Sequence, residues 1–285
     1  MACQQTHDDA GEVPARPIVL QRRELLVSAA RLACGAACMG ALAALMGRAV
    51  EGSAAAAAPA PDDPAPTGYT QAVISQNFSE AAPFFSEVIT ARHSKALAGK
   101  VKQAARADWA KLGPQIPYVG EADWPLPSTL IGSAVALSFY RALKRAGVGK
   151  TEARALVARQ GKASLAAVPP AKLAEEGAEQ FTEEWYAMQR QYAALSQLHH
   201  YPDDWVYSFV EGVPGEFDWG WDFTECGVLK LFTTQRGLDL MPSICVQDFY
   251  VSAAQKTGLR RTKTLANGGD CCDFRYEQGR PVSPS

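Results

Sequence analysis

The chain has 285 residues, of which 47% are hydrophobic and 20% are charged. This composition supports a sizeable buried core and excludes a wholly disordered chain. The formal net charge of -2 excludes the concentrated Lys and Arg surface that phosphate contacts require, so we expect no nucleic-acid partner.

The N-terminal residues have the pattern of an export signal. The pair Arg22-Arg23 precedes an uninterrupted apolar stretch from Leu32 to Met46, which is shorter than the roughly 20 residues of a membrane-spanning helix. Paired arginines before such a stretch indicate the twin-arginine export machinery as a partner. We therefore predict an export signal or a membrane anchor over residues 1–58. The expected location is periplasmic, or anchored on the outer side of the cytoplasmic membrane, with a cytoplasmic protein as the remaining alternative.

The rest of the chain divides by composition. Residues 59–68 are rich in Pro and Ala and indicate a linker without a fold of its own. Residues 69–285 predict a single domain. Its first part, 69–200, has a helical pattern, and its second part, 205–276, holds most of the chemically reactive residue types.

Apolar residues recur at helical spacing through the first part of the domain. We expect helices within 69–112, over 128–146, up to about residue 159 and over 171–198, with a Pro/Gly-rich loop at 113–127. Ser128 or Thr129 is the expected N-cap of the second of these segments. His199 and His200 are neighbours that point in different directions, and His93 lies in a basic helical stretch, so we predict no metal site from these histidines.

The segment 147–151, Gly-Val-Gly-Lys-Thr, is similar to part of a phosphate-binding loop. The full pattern requires a glycine where Lys144 stands, and such a loop follows a strand, whereas this segment lies between two predicted helices. We therefore expect no nucleotide binding. Gly147 is predicted to end one helix, and Thr151 is predicted to cap the next.

From residue 205 onward, β-branched and aromatic residues alternate with polar ones. We expect the order β-β-α-α-β-β, with strands at 205–210, 217–224, 259–265 and 271–276 and helices at 227–234 and 243–256. The Asn267-Gly268 pair predicts a tight turn between the last two strands. An antiparallel sheet that carries helices and follows a helical part defines an α+β fold.

The cysteines of the second part indicate a reactive site. Cys245 and Asp248 are three residues apart on a predicted helix and therefore share a face. In the pair Cys271-Cys272, strand alternation sends the side chains to opposite faces, so only one of them can join Cys245. Cys226 stands where the second strand gives way to a helix. Inert buried cysteines, or disulfides that join the pair to Cys226 and Cys245, are the alternatives.

These residue types suit nucleophilic chemistry on a small anion. A cysteine becomes a nucleophile or a soft-metal ligand as the thiolate, and Asp248 could accept its proton or orient a substrate N–H. Arg260, Arg261 and Arg275 could neutralise a substrate carboxylate, since the guanidinium group donates two parallel hydrogen bonds.

In order, these pieces form a pattern that resembles the L-2-amino-thiazoline-4-carboxylic acid hydrolase family over about residues 205–276. The pieces are Cys226, Cys245-Val246-Gln247-Asp248, Arg261-Thr262-Lys263-Thr264-Leu265, Gly268 and Cys272-Asp273-Phe274-Arg275. By this match Cys272, the second cysteine of the pair, holds the family position.

The resemblance implies a cysteine-dependent hydrolase that opens a cyclic amidine-type C–N bond in a small carboxylate substrate, such as 2-amino-thiazoline-4-carboxylate, towards an N-carbamoyl cysteine. It implies catalytic roles for four residues, with Cys245 as nucleophile and Cys272 as the alternative nucleophile: Cys226, Cys245, Asp248 and Cys272. It implies substrate binding by a second set: Arg261, Thr262, Thr264, Asp273 and Arg275. No cofactor is expected.

Two other classes of protein fit parts of the pattern. The thiol-thiol-carboxylate set Cys245, Cys272 and Asp248 also resembles that of organomercurial lyases, or a site for a soft metal such as zinc, copper or mercury. A non-catalytic sensor or small-ligand binder with structural cysteines is the other alternative.

Overall fold

The computed structural model describes residues 68–122 and 124–282 of the chain. The predicted export signal at 1–58 and nearly all of the linker at 59–68 lie outside the described residues. In chain order the elements are α1 (Gln71–Arg92), α2 (Lys95–Leu112), α3 (Pro125–Arg145), α4 (Lys150–Ala166), α5 (Pro170–Glu179), α6 (Glu183–Ser196), β1 (Val206–Val213), β2 (Phe217–Glu225), α7 (Gly227–Thr234), α8 (Met241–Cys245), α9 (Gln247–Gln255), β3 (Arg260–Arg261) and β4 (Cys272–Tyr276). Short 3-10 turns occur at Gly113–Gln115, Leu238–Leu240 and Leu265–Asn267.

Helix α3 is the centre of the helical part. Its residues are buried on almost every side, because α1, α2, α4 and α7 all pack against it. Phe139 of α3 stacks on Phe85 of α1 with ring centroids 4.0 Å apart. A helix that is apolar on all sides is typical of a core position. Within residues 68–122 and 124–282, no helix is both long and apolar enough to cross a membrane.

Helix α3 begins earlier than the sequence predicted. Its N-cap is Trp124 and its first residue is Pro125, whose missing N–H has no helical partner at this position. The Thr129 hydroxyl donates back to the Pro125 carbonyl at 2.7 Å, and Ser128 bonds to the same oxygen, so neither side chain caps the helix.

The end of α3 agrees with the prediction, and two other helix boundaries differ. Gly147 follows α3 with a φ of +84°, as expected for a residue that stops a helix. Gly149, rather than Thr151, is the N-cap of α4. The single helix predicted over 171–198 is two helices, because the Thr182 side chain accepts a hydrogen bond from the Trp185 N–H at 3.3 Å and starts α6 afresh.

The four strands form one antiparallel sheet in the order β1-β2-β4-β3, which confirms the α+β class. Trp219 and Trp221 of β2 are buried on the face that meets the helices, where Trp185 of α6 lies 4.3 Å from the ring of Trp219. Opposed residues of an antiparallel pair share a face. The same face therefore carries the two β4 residues paired with β2, Phe274 and Tyr276.

The third strand is much shorter than predicted. Only two residues of the expected 259–265 strand pair with β4. Directly afterwards, the Asp273 carboxylate accepts hydrogen bonds from the backbone N–H groups of Thr262 and Lys263, at 2.8 and 2.7 Å. Hydrogen bonds to the Asp273 side chain thus replace the backbone hydrogen bonds that would have continued the strand. Thr264 then caps a 3-10 turn that ends at Gly268, whose φ is +81°.

The helix predicted over 243–256 is also divided, into α8 and α9, with Val246 between them. Helix α5 packs against α9 through Gly177, where an added Cβ would lie 1.9 Å from the Gln255 carbonyl oxygen. This contact positions α9, which directly follows the helix α8 that ends at Cys245.

We expect Gly177→Ala to destabilise the protein by about 1–3 kcal/mol, because the backbones of two packed helices must separate. Gly99→Ala is the matched control in α2, since Gly99 is exposed and nothing lies within 4 Å of its added Cβ. This control should stabilise the protein by about 0.5–1 kcal/mol through helix propensity alone. Urea unfolding measures both changes, and a Gly177→Ala variant as stable as the wild type contradicts the packing.

Candidate functional site

Three cysteines from three different elements meet at the junction of the sheet and the helices. Cys226 is the residue between β2 and α7, Cys245 is the last residue of α8, and Cys272 is the first residue of β4. All three are partly buried free thiols, so the alternative in which disulfides join the Cys271-Cys272 pair to Cys226 and Cys245 does not hold in this structure. Cys271, the neighbour of Cys272, is completely buried.

Asp248 and Arg261 lie beside these thiols as a buried ion pair. The Arg261 Nη1 group donates to Asp248 Oδ2 at 2.5 Å, and Nη2 donates to the carbonyl oxygen of Cys245 at 2.8 Å. The side chains are 6% and 8% exposed, so water screens the pair only weakly. We call the five residues Cys226, Cys245, Asp248, Arg261 and Cys272 the thiol cluster.

The sheet register explains why Arg261 belongs to the thiol cluster. Arg261 pairs with Phe274, which pairs in turn with Trp221, so all three lie on the helix-facing side of the sheet. Cys272 pairs with Phe223 on that side as well. The guanidinium carbon of Arg261 lies 4.9 Å from the ring centroid of Phe274.

Burial controls the ionisation of the thiols. It raises the pKa of Cys245 well above the usual range, and the charge of Asp248 raises it further, whereas Arg261 opposes both effects. The pKa of Cys272 rises to about 11 for the same main reason, although the Leu265 N–H donates to its sulfur at 3.2 Å and lowers it. Both thiols are therefore protonated at neutral pH in the ligand-free protein.

Cys226 has a different environment, at the start of a helix. Burial raises the pKa of its thiol. The backbone N–H groups of Val228 and Leu229, in the first turn of α7, oppose this increase, and so does the side chain of Trp205. The positive end of α7 is thus directed at this sulfur.

Arg275 and Arg260 lie on the other face of the sheet. They pair with each other across β3 and β4, one residue out of phase with Arg261 and Phe274. The Arg275 Nη1 group donates to Asp222 at 2.8 Å. The structure therefore brings Arg261 to the cysteines and leaves Arg275 away from them.

The other predicted substrate-binding residues support the loop that follows β3. Asp273 holds Thr262 through both the backbone N–H and the hydroxyl of Thr262. The Thr264 hydroxyl accepts from the Asn267 N–H at 3.2 Å. These contacts fix the segment whose Leu265 N–H reaches Cys272.

Several residues of the site were not anticipated from the sequence. Phe249 lies with its ring centroid 4.9 Å from the guanidinium carbon of Arg261. Trp205 packs so closely on Gly227 that an added Cβ there would lie 2.8 Å from its ring. An aromatic residue one position after Asp248 was a visible signal for the first contact. No sequence feature indicated the second or the Leu265 N–H contact, because both depend on chain segments that meet only in the fold.

Two of the histidines that the structure describes make their ionic contacts outside the thiol cluster. His93 contacts Glu152 at 3.6 Å, and His199 contacts Glu225 at 3.9 Å, both outside it. Among the residues that the structure describes, no group of three or more His, Cys, Asp or Glu side chains is arranged to hold a metal ion.

The fold and the thiol cluster define an α+β protein with a thiol-carboxylate centre. The family model of L-2-amino-thiazoline-4-carboxylic acid hydrolase matches residues 129–276, slightly more than half of the chain, and the chain therefore belongs to that family. This confirms the resemblance and extends it into the helical part. At family level the chain is a hydrolase acting on a small molecule, 2-amino-thiazoline-4-carboxylate. No curated protein and no solved structure matches the chain.

The thiols of the cluster should alkylate in a defined order as the pH rises. We expect iodoacetamide to modify Cys272 faster than Cys245 at every pH at which the protein stays folded, because burial and Asp248 raise the pKa of Cys245 more strongly. Peptide mass spectrometry after alkylation of the native protein, without reductant, gives the rate at each site. Cys245 reacting fully at about pH 7 would contradict this order.

Proposed function

We propose that the chain is a cysteine-dependent hydrolase that opens the ring of a cyclic amidine bearing a carboxylate, with Cys245 as nucleophile. The observation that carries the proposal is the single Arg261 guanidinium, which binds both the Cys245 main chain and the Asp248 carboxylate. It holds the end of α8, which carries Cys245, next to the buried Asp248 carboxylate. The family membership supplies the substrate class.

The first step is addition of the Cys245 sulfur to the amidine carbon of the ring. An amidinium group next to Asp248 would bring positive charge to the thiol, which lowers its pKa and favours the thiolate. The thiolate forms the new C–S bond to the amidine carbon, and the electron pair of the C=N bond moves to nitrogen. Asp248 is placed to hold the amidinium N–H groups during this step.

The second step breaks one bond of the ring and transfers a proton to the leaving atom. Water then attacks the same carbon, and Cys245 departs as the thiol, so that one water is consumed in total. Release of an N-carbamoyl cysteine requires the ring sulfur to leave, because both nitrogens stay on the carbon. Cleavage of the ring C–N bond, as inferred from the sequence, instead gives an S-carbamoyl product with a free amine. A free thiol in the product would therefore indicate cleavage of the ring C–S bond, and a free amine would indicate cleavage of the ring C–N bond.

We expect Cys245→Ser to lower kcat/KM for 2-amino-thiazoline-4-carboxylate by roughly three orders of magnitude or more, because a serine hydroxyl is not activated by these neighbours. Cys272→Ser is the matched control and should cost only about tenfold, because Cys272 adjoins the nucleophile without forming the covalent bond. Initial rates of ring opening give both values, with urea unfolding to show that each variant is folded. The reverse order would move the nucleophile to Cys272.

The soft-metal and organomercurial-lyase alternatives are not favoured, since the described residues contain no group of ligands arranged for a metal. We propose that the hydrolysis needs no cofactor. Dialysis against a chelator should then leave turnover unchanged. Loss of turnover that zinc restores would overturn this part of the proposal.

We also propose, from the sequence of residues 1–58 alone, that the protein is exported through the twin-arginine route and acts outside the cytoplasmic membrane. Replacing Arg22 and Arg23 together by Lys should retain the protein inside the cell. Cell fractionation measures this, and unchanged export of the variant would contradict the route.

A further inference from the structure

Arg261 is held within the protein by two hydrogen bonds and two aromatic contacts. One terminal nitrogen donates to the Asp248 carboxylate at 2.5 Å and the other to the Cys245 carbonyl at 2.8 Å. The guanidinium carbon lies 4.9 Å from the ring centroids of both Phe249 and Phe274. Only 6% of the side chain is exposed. These contacts orient the guanidinium towards Asp248 and the end of α8.

A substrate carboxylate competes poorly for this guanidinium. It would have to approach a group that already neutralises Asp248, and it would bring a second negative charge close to that carboxylate. Like charges in a buried site repel strongly because little water screens them. The outer-face residue Arg275 is not an alternative from within the site, because it bonds to Asp222 on the other side of the sheet.

We propose that Arg261 is a positioning residue for the thiol hydrolase, which fixes Cys245 relative to Asp248 and places a positive charge beside the thiol, and that it is not the receptor for the substrate carboxylate. This inference rests on the proposed function for its catalytic meaning. Its geometric content is independent: one planar group ties the end of α8 to the start of α9 across the break at Val246. A planar fork can do this, whereas the point charge of a lysine cannot.

The test uses two alkylating reagents on the full chain, iodoacetamide and iodoacetate, which differ in the carboxylate. If Arg261 positions and polarises Cys245, Arg261→Met slows modification of Cys245 by the neutral reagent iodoacetamide about tenfold or more, because the thiolate is less favoured. The iodoacetate rate falls at least as far, because Asp248 is then no longer neutralised and repels that anion. If Arg261 receives carboxylates, only the iodoacetate rate falls, and the proposal is overturned. Equal rates in variant and wild type overturn it as well.

Arg261→Lys keeps the charge and removes the fork, and it provides the test if Arg261→Met does not fold. We expect kcat for 2-amino-thiazoline-4-carboxylate to fall at least tenfold with KM changed by less than about threefold, and the ratio of alkylation rates to stay constant. A rise in KM with unchanged kcat would instead assign the substrate carboxylate to Arg261.

The matched control is Arg190→Lys. Arg190 also binds a carboxylate through two nitrogens, to Glu211 at 2.6 and 2.7 Å, and its guanidinium lies 5.1 Å from the Phe209 ring, but it is outside the thiol cluster. This control should change neither kcat nor the alkylation rates. The alkylation readout does not require turnover. A wild type that does not open the thiazoline would therefore refute the proposed function while the alkylation rates still decide the role of Arg261.

Discussion

The ion pair between Arg261 and Asp248 is the interaction on which the site depends. It joins the sheet, through β3, to the short helices α8 and α9, and the same guanidinium binds the last residue of α8. Breaking a buried pair by removing one partner costs about 3–5 kcal/mol, because the remaining charge is left without compensation. A strand of only two residues is thus held at the sheet edge by a side chain as well as by its ladder.

The environment of the ion pair also explains why the thiols of Cys245 and Cys272 are protonated at neutral pH. Burial and Asp248 both favour the protonated form of Cys245, and the positive charge of Arg261 offsets only part of that. Under the proposed mechanism, a positive substrate group would stabilise the thiolate of Cys245 in place of water.

The two faces of the sheet separate the arginines of β3 and β4. Arg275 and Asp222 form an ion pair on the outer face, where the side chains are about one-fifth exposed. Arg261 lies one register position away on the other side, in contact with two aromatic rings. A difference of one residue in register thus separates the outer-face ion pair of Arg275 from the thiol cluster.

Periodicity and residue type in the sequence determined much of this protein. Helical spacing predicted the helical part, and alternation predicted β2 and the order of the last elements. The distribution of cysteines indicated the part of the chain where the thiol cluster lies. These features are local, so neighbouring residues are enough to reveal them. Helix ends were less accurate: Thr182 divides one predicted helix because a single side-chain hydrogen bond competes with the helical one.

Only the tertiary structure decided which groups meet. The residue types pointed to Arg260, Arg261 and Arg275, and the family resemblance to Arg261 and Arg275. The register of β3 against β4 places Arg261 on the face that carries Cys272 and puts Arg260 and Arg275 on the other face. The sequence also predicted a strand where the Asp273 carboxylate instead captures two backbone N–H groups. The environment that sets the thiol pKa values comes from segments far apart in the chain. Burial and charge act through space, and their distances are fixed only when the sheet and the helices pack together.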